Sequence, residues 1–259
     1  MKDLQAPEIF ENAETLGTHV AAMLMDEYQK NKKLVVGFPW GTTPIPIFDA
    51  FAKLVKMHDT DLSNLHLVSM DEYVVGRENS FNYPEENAPY SGHSHIKRDL
   101  LEKLPQTQAK ILGSNIHFPD PMNPETFDEQ IAEMGGVDYF IVAVGAHDGH
   151  VAMRGSGTNL SSRTSLISIP ESVRDYNFEK LHSYFDEDKG KVPYQGISIG
   201  LRTILDSKKL LFVAHGPEKA GIVRKLYDAK KFDKSLPITF LWEAADITTV
   251  LVDRTAWSQ

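Results

Sequence analysis

The segment 139-YFIVAVGAHDGHVAM-153 joins an apolar run to a polar loop. The run from Tyr139 to Val144 is typical of a buried strand, and it ends at a glycine, Gly145. Ligands of parallel α/β sheets bind beyond the carboxyl ends of the strands. The loop after this strand is therefore the first candidate for a functional site.

That loop contains an Asp-Gly-His triplet, formed by Asp148, Gly149 and His150. A carboxylate this close to an imidazole can orient the ring and select its tautomer. Gly149 allows a tight turn, so that both side chains can face one site. We interpret the triplet as part of a catalytic loop. Asp-Gly also occurs in many surface turns, so a structural turn with a hydrogen-bonded histidine is the alternative that the triplet alone leaves open.

Length and composition are those of an ordinary soluble globular protein. The chain has 259 residues, of which 41% are hydrophobic and 24% charged. No apolar run is long enough to span a bilayer, and the N-terminus lacks the basic and apolar regions of a signal peptide. The net charge of −9 argues against nucleic-acid binding, and the absence of cysteine excludes disulfides and thiolate metal sites. We therefore expect a cytoplasmic protein that binds neither nucleic acid nor membrane.

Strand-like and helix-like stretches alternate along most of the chain. Apolar periodicity and flanking Gly and Pro predict helices over 13–31, 45–57, 94–103, 125–134 and 216–229, with a helical turn over 201–205. Short apolar runs predict strands over 34–38, 65–70, 139–144, 196–199, 210–215 and 247–253. A long loop or lid is predicted over 76–95 and a connection over 113–124, whereas 160–192 has no clear pattern.

The alternation predicts an α/β fold. No Ser/Gly-rich linker, charge block or internal repeat divides the chain, so we expect a single domain over 1–259. Its architecture should be three-layered and Rossmann-like, with a mainly parallel sheet flanked by helices.

A second candidate loop joins the strand 34–38 to the helix that follows it. Gly41, Thr42 and Thr43 can aim backbone amides and hydroxyls at one point, and Pro44 suits a first helical turn. Helix N-termini favour phosphate through their exposed amides and the macrodipole. A plain helix cap with a turn explains this loop equally well.

Two further strand ends carry charged residues. Asp71 and Glu72 follow the run 65–70, where restricted solvent can raise the pKa of a carboxyl toward that of a general base. Lys219 falls in the first turn of the helix after the strand 210–215, where it can meet an anionic group. Taken singly, each is better explained as a solvated surface group. Compatible chemistry at consecutive strand ends favours one shared site.

Six motifs then give the chain a resemblance to a known family. They are 41-GTTP-44, 69-SMDEYVV-75, 145-GAHDGHVAM-153, 160-LSSRT-164, 193-PYQGISIGL-201 and 216-GPEKA-220. Together they resemble the glucosamine-6-phosphate deaminase (isomerase) family, whose relatives include 6-phosphogluconolactonase and a galactosamine-6-phosphate branch. The resemblance runs from about residue 13 to 253 and implies a fold of the sugar-phosphate isomerase type. The Met-Asp-Glu-Tyr run separates deaminases from lactonases.

The resemblance implies a role for each candidate residue. Asp71 matches the base that moves a proton between carbon 1 and carbon 2 of the opened sugar. His150 matches the ring-opening catalyst and Asp148 the carboxylate that orients it. Phosphate binding is implied for Gly41, Thr42, Thr43 and Lys219. The implied reaction turns an amino-sugar phosphate into a ketose phosphate and ammonia, with no metal or redox cofactor.

The chain departs from the family pattern at two places. Gly155 stands where the deaminases usually have a Glu that completes the group around the His, and Arg154 beside it inverts the local charge. The family's phosphate-binding Arg has no clear match, although Arg174 is a candidate after a local shift. These departures favour either slow ring opening or a different sugar phosphate.

Three functions therefore stay open at this point. The first, which we favour, is deamination and isomerisation of a 2-amino-2-deoxyhexose 6-phosphate. The second is hydrolysis of a sugar lactone with His150 activating water, and the third is binding of sugar phosphate without turnover. His93 and His95 lack a third ligand, so no metal site is predicted. The sequence is compatible with a monomer and with a homo-oligomer.

Overall fold

Two sheets form the framework of the protein. The computed structural model describes residues 3–77, 80–105 and 111–258. Within these ranges the strands are β1 (Glu8–Phe10), β2 (Leu34–Phe38), β3 (Leu65–Ser69), β4 (Asp71–Arg77), β5 (Ser80–Asn82), β6 (Ile116–His117), β7 (Tyr139–Val142), β8 (Ser165–Ser168), β9 (Gln195–Ser198), β10 (Lys209–Ala214) and β11 (Thr248–Asp253).

The helices alternate with these strands. They are α1 (Ala13–Asn31), α2 (Ile45–His58), α3 (Gly92–Asp99), α4 (Thr126–Glu133), α5 (Glu171–Leu181), α6 (Leu201–Leu205), α7 (Ala220–Ala229) and α8 (Arg254–Trp257). Short 3-10 segments cover Leu101–Lys103, Gly113–Asn115, Lys189–Lys191, Pro217–Lys219 and Pro237–Ala244. No helix within the described residues is long and apolar enough to cross a membrane.

The larger sheet is parallel and lies at the centre of the fold. Among the described residues it has seven strands in the order β1-β11-β10-β7-β2-β3-β6. Successive residues of β7 point to opposite faces, since Phe140 and Val142 join one apolar core and Ile141 joins the other. Helices α1 and α2 cover the second core, and α7 covers the first. The predicted α/β architecture with a flanked, mainly parallel sheet is confirmed.

The smaller sheet is antiparallel and was not predicted. Its order is β5-β4-β9-β8, and β8 comes from the segment 160–192 that showed no clear pattern. The same segment supplies α5. The prediction of a loop over 76–95 is wrong at both ends, because β4 extends to Arg77 and α3 begins at Gly92. Two residues of that predicted loop, 78 and 79, lie outside the described residues.

Local signals explain the well-predicted elements. Helix α1 begins at a capping box in which Asn12 and Thr15 exchange side-chain and backbone hydrogen bonds. Its C-cap residue is Lys32, whose φ of 54° lies in the left-handed region. Its buried stripe includes Leu16, Val20 and Leu24, at the spacing that a helical face requires. Such contacts are local in sequence, so the pattern predicts this helix with its bounds.

Candidate active site

Four strand ends lie side by side at one edge of the parallel sheet. β10, β7, β2 and β3 are consecutive neighbours and run in the same direction, so the segments after them converge. Two of these segments touch, since Trp40 Nε1 donates to the carbonyl of Asp71 at 2.7 Å. Another contact joins His215 Nε2 to the carbonyl of Thr43 at 3.2 Å. The structure thus brings together the four places at which chemistry was expected.

Asp148 and His150 form a hydrogen-bonded pair after β7. His150 Nδ1 lies 2.6 Å from Asp148 Oδ1, and the backbone N–H of His150 donates to the same oxygen at 3.1 Å. Although burial acts to raise the pKa of Asp148, the hydrogen bonds from His150 and Ser172 hold that pKa well below its ordinary value. A carboxylate at Nδ1 makes this nitrogen the donor, so the neutral ring has its acceptor at Nε2. About a quarter of the ring is exposed (24%), which leaves Nε2 available as a base.

Glycines give this loop its shape. Gly149 has a φ of 70°, a left-handed conformation that glycine adopts without strain. At Gly145 the constraint is contact, because an added Cβ would lie 2.1 Å from His150 Nδ1 and 2.7 Å from Asp148 Oδ1. The loop also closes on itself, since Gly145 N–H donates to the carbonyl of His150 at 3.0 Å. The imidazole therefore packs directly on the backbone at the end of β7.

Asp71 is a buried carboxyl at the start of β4. Asp71 is only 7% exposed. Burial and the nearby charge of Glu72 raise the pKa of Asp71 to about 8. Its carbonyl accepts hydrogen bonds from Trp40 and from Ser69 Oγ, the latter at 2.7 Å. These two donors fix the backbone from which the carboxyl extends. A carboxyl with this pKa can accept and release a proton near neutral pH.

Glu72, the neighbouring acid, has a different environment. It is fully buried, and its carboxylate accepts the backbone N–H groups of Gly92 and His93 at 2.9 and 3.0 Å. Ser91 Oγ and His93 Nδ1 also donate to it, at 3.0 and 2.7 Å. Glu72 therefore caps the N-terminus of α3, and this explains why α3 begins earlier than predicted. Of the two acids, Asp71 is the one not committed to holding a helix end.

The loop after β2 leads into α2. Gly41 has a φ of 89°, and an added Cβ there would meet nothing within 4 Å, so its backbone faces open space. Thr42 is exposed, whereas Thr43 is buried and 6% exposed. The N-cap position of α2 is Pro44, which makes no side-chain cap hydrogen bond. Ile45 N–H donates to the carbonyl of Thr42 at 3.3 Å and residue 46 is a proline, so few of the first-turn amides remain for an anionic ligand, and none is taken by a capping side chain.

Lys219 approaches the loop after β7 from the 3-10 segment that follows β10. Its Nζ donates to the carbonyl of Val144 at 2.6 Å, immediately before Gly145. Burial lowers the pKa of Lys219, and Asp148 is among the charges that act on it. An ammonium group has three donors, so this contact leaves two for a ligand. Lys219 therefore lies between the loop with His150 and the helix after β10.

Arg154 is turned into the protein. It is 9% exposed, and its guanidinium donates to the carbonyls of Ile199, Arg163 and Ser198 at 2.6, 2.6 and 2.8 Å, and to Ser165 Oγ at 2.8 Å. Burial lowers the pKa of Arg154 to about 10. These hydrogen bonds hold the loop after β7 against the smaller sheet. The positive charge that Arg154 was expected to add to the site is therefore directed at main-chain carbonyls.

The remaining candidates are engaged in packing. The Arg174 guanidinium donates to the carbonyls of Lys189 and Val192, both at 3.2 Å, and lies 3.6 Å from the ring centre of Tyr194. His93 bonds to Glu72 as described, and His95 Nδ1 lies 2.8 Å from Asp99 Oδ2. Within the described residues no group of three or more His, Asp or Glu is arranged to hold a metal ion.

Three contributors to the site were missed by sequence reasoning. Ser172 donates to Asp148 from a helix in the unassigned segment, and no local pattern marks it. Trp40 was overlooked beside the Gly-Thr-Thr run, although a large aromatic residue at the end of a buried strand is a usable signal. The capping role of Glu72 was also missed, because its partners lie about twenty residues further along the chain and sequence alone makes it an alternative base.

Comparison with known proteins adds a family. Residues 8–251 match the model of the family described as glucosamine-6-phosphate isomerases/6-phosphogluconolactonase. The glucosamine-6-phosphate deaminase of Bacillus pumilus is 28% identical over 251 residues, which cover 96% of this chain and 97% of that protein. The glucosamine-6-phosphate deaminase of Drosophila pseudoobscura is 31% identical over 224 residues, which cover 84% and 77%.

Solved structures show the same fold. A monomeric glucosamine-6-phosphate deaminase superposes with a TM-score of 0.82 at 23% identity, covering 98% of this chain and 99% of that chain. A 6-phosphogluconolactonase from Thermotoga maritima superposes with a TM-score of 0.66 at 19% identity, covering 96% and 99%. At these identities the likeness concerns the fold, and activity has to be argued from the site.

Proposed function

The chain belongs to the glucosamine-6-phosphate isomerase/6-phosphogluconolactonase family, and from this premise we propose that it converts a 2-amino-2-deoxyhexose 6-phosphate to a ketose phosphate and ammonia. The observation that carries the proposal is the buried carboxyl of Asp71, whose pKa is raised to about 8. Moving a proton between two carbons needs a base of this kind in a place with little solvent. Hydrolysis of a lactone moves no proton between carbons, so it does not need such a base.

The first step of the proposed reaction is ring opening. Asp148 holds the His150 Nδ1 proton at 2.6 Å, so Nε2 takes the proton of the carbon 1 hydroxyl. As that oxygen becomes a carbonyl, the bond from carbon 1 to the ring oxygen breaks and the ring oxygen receives a proton. The Asp148 carboxylate stabilises the imidazolium that forms between these two transfers.

The second step is the proton transfer between carbons. The aldehyde makes the carbon 2 proton acidic, and ionised Asp71 removes it to give an enolate. The carbon 1 oxygen of the enolate takes a proton from water, which gives an enol bearing the amino group. Asp71 then returns its proton to carbon 1 and leaves an iminium ion at carbon 2, and the hydroxide left by that water removes a proton from the nitrogen to give the imine. Water adds to the imine, and ammonia leaves as the ketose forms. The buried surroundings of Asp71 raise its basicity, and this favours removal of a weakly acidic proton.

Substrate binding is assigned to the neighbouring segments. Gly41, Thr42 and Thr43 precede an N-terminus without a side-chain cap, and Lys219 offers the remaining donors of its ammonium group. We assign the phosphate to these groups. The phosphate would then hold the sugar between the strand that ends before Asp71 and the loop that carries His150.

A panel of three compounds tests the proposal. The purified protein is incubated with glucosamine 6-phosphate, galactosamine 6-phosphate and 6-phosphogluconolactone, and the release of ammonia and the opening of the lactone are measured in parallel. We expect ammonia from at least one amino sugar. Lactone opening without ammonia release would contradict the proposal and favour the hydrolase. Saturable binding of all three without product would favour a sugar-phosphate-binding protein.

Lys219→Met should weaken substrate binding more than turnover. A hydrogen bond to a charged group contributes about 1.5–3 kcal/mol, so KM should rise about 10- to 100-fold while kcat changes less. The matched control is Lys225→Met, an exposed lysine on α7, the helix that follows Lys219. Steady-state kinetics with an amino-sugar phosphate give both constants. An unchanged KM for Lys219→Met would remove Lys219 from the phosphate site.

Gly145→Ala should disable the His150 pair without unfolding the protein. The added methyl would lie 2.1 Å from His150 Nδ1 and 2.7 Å from Asp148 Oδ1, so both side chains must shift. Displacement of a catalytic group by about 1 Å can lower kcat about 10²-fold. Gly221→Ala is the control, because a Cβ there meets nothing within 4 Å. If Gly145→Ala retains full kcat, the packing of His150 on the backbone is not needed for turnover.

A further inference from the structure

The carboxylate of Asp148 has two oxygens, and each has its own partner. Oδ1 accepts from His150 Nδ1 at 2.6 Å and from the His150 backbone N–H at 3.1 Å. Oδ2 accepts from Ser172 Oγ at 2.5 Å, across a gap of 24 residues in sequence. With Oδ1 alone fixed, the carboxylate plane could still turn about its last bond. The second donor fixes the plane, and with it the direction of the imidazole.

Ser172 is brought to Asp148 by the way that α5 is seated. The residue before α5, Pro170, packs on Gly155, where an added Cβ would lie 3.0 Å from Pro170 Cγ. A larger residue at position 155 would therefore press on the start of the helix. The buried side chain of Val173 anchors the first turn in a small apolar cluster with Met153. Packed neighbours on both sides of Ser172 in the sequence thus fix the backbone from which its exposed side chain reaches Asp148.

The same helix also contacts the strand that carries the proposed base. Asn177 Nδ2, further along α5, donates to the hydroxyl of Tyr73 on β4, two positions after Asp71. Tyr73 is buried, at 5% exposed, so this contact fixes α5 relative to the smaller sheet. Helix α5 therefore joins the loop of Asp148 to the strand of Asp71.

We propose that Ser172 is a positioning residue of this active site, which acts through Asp148 to hold the His150 ring in its productive orientation. The role of His150 in turnover rests on the function proposed above, whereas the effect of Ser172 on Asp148 does not. Ser172 itself touches neither the substrate nor the reacting atoms. Its loss should therefore lower kcat and leave KM unchanged.

The test compares Ser172→Ala with Ser172→Thr, which keeps the hydroxyl, and with Ser183→Ala, an exposed serine just beyond α5. Ser172→Ala should lower kcat about 10-fold, the scale of one hydrogen bond to a charged group, while KM stays constant. Ser172→Thr should recover most of kcat, and Ser183→Ala should match the wild type. A kcat for Ser172→Ala equal to that of the wild type would overturn the proposal.

A second measurement does not depend on activity. The pKa of Asp148, followed by carboxyl carbon NMR, should rise toward its ordinary value in Ser172→Ala, because one of the bonds that lowers it is removed. It should not change in Ser183→Ala. An unchanged pKa of Asp148 in Ser172→Ala would overturn the proposal even if the protein turns over no amino sugar. A raised pKa of Asp148 without any turnover would support the hydrogen bond from Ser172 to Asp148 and contradict the proposed function.

Discussion

Asp71→Asn should lower kcat for ammonia release by about 10²- to 10⁴-fold, the range that a positioned general base contributes. The amide keeps the shape of the side chain but cannot take the proton from carbon 2. Ring opening, which we assign to His150, should continue, so the variant should still bind the substrate. Steady-state ammonia release from an amino-sugar phosphate measures the loss.

The same group predicts the pH dependence of the wild type. Asp71 acts as a base only when it is ionised, and its pKa is raised to about 8 by burial and by Glu72. The value of kcat/KM should therefore rise with pH through about 8 and then level off. This rise should be absent from the residual activity of Asp71→Asn. A wild-type profile that is flat between neutral pH and pH values above the pKa of Asp71 would contradict its role as the base.

Stability gives a control that the variant is folded. The pKa of Asp71 in the folded protein lies above its ordinary value, so the folded state binds this proton more tightly than the unfolded state does. The resulting contribution to the free energy of unfolding is fully present below the ordinary pKa. That stability is lost as the pH rises through about 8. Asparagine has no such loss, so the Tm of Asp71→Asn should increase relative to the wild type as the pH is raised. Asp26→Asn, which removes an exposed carboxyl on α1, is the matched control for the change of net charge.

His150→Gln should lower kcat by about 10²- to 10⁴-fold, because general acid–base catalysis of ring opening is lost. Glutamine can occupy the space near Asp148 but cannot shuttle a proton. Turnover should then be limited by spontaneous opening of the sugar, so the rate should stop increasing as more of the variant is added. Initial rates at a series of enzyme concentrations measure this limit.

His147 provides the matched control for this variant. It is an exposed histidine in the same loop, and it precedes Asp148. His147→Gln should retain the wild-type rate and its proportionality to enzyme concentration. If His150→Gln shows the same proportionality with a nearly unchanged kcat, the ring-opening role of His150 is wrong.

The parts of the fold that sequence predicted depend on local patterns. The strand at 139–144 is an unbroken apolar run, and the stripe of α1 repeats with the helical period, so each can be recognised without its neighbours. Consecutive elements of this kind imply a parallel sheet, and a parallel sheet implies that its strand ends meet. This is why the sequence predicts that Asp71, His150 and Lys219 share one site.

The parts that were missed depend on contacts between distant residues. β8 is short and only half-buried, and its pairing with β9 joins segments about thirty positions apart, so the run 165–168 carries little signal by itself. Glu72 caps a helix that begins twenty residues later, and Ser172 reaches Asp148 across 24 residues. No local pattern encodes either contact. Sequence therefore indicates the candidate reactive groups, whereas the groups that hold them depend on the fold.

Isomerisation and deamination of an amino-sugar phosphate at this site can be tested in one reaction. Ammonia and ketose phosphate are measured together, with wild type and Asp71→Asn side by side. We predict equal amounts of the two products from the wild type, and loss of both together in the variant. Absence of both products from the folded wild-type protein, or equal yields from Asp71→Asn, would contradict the claim.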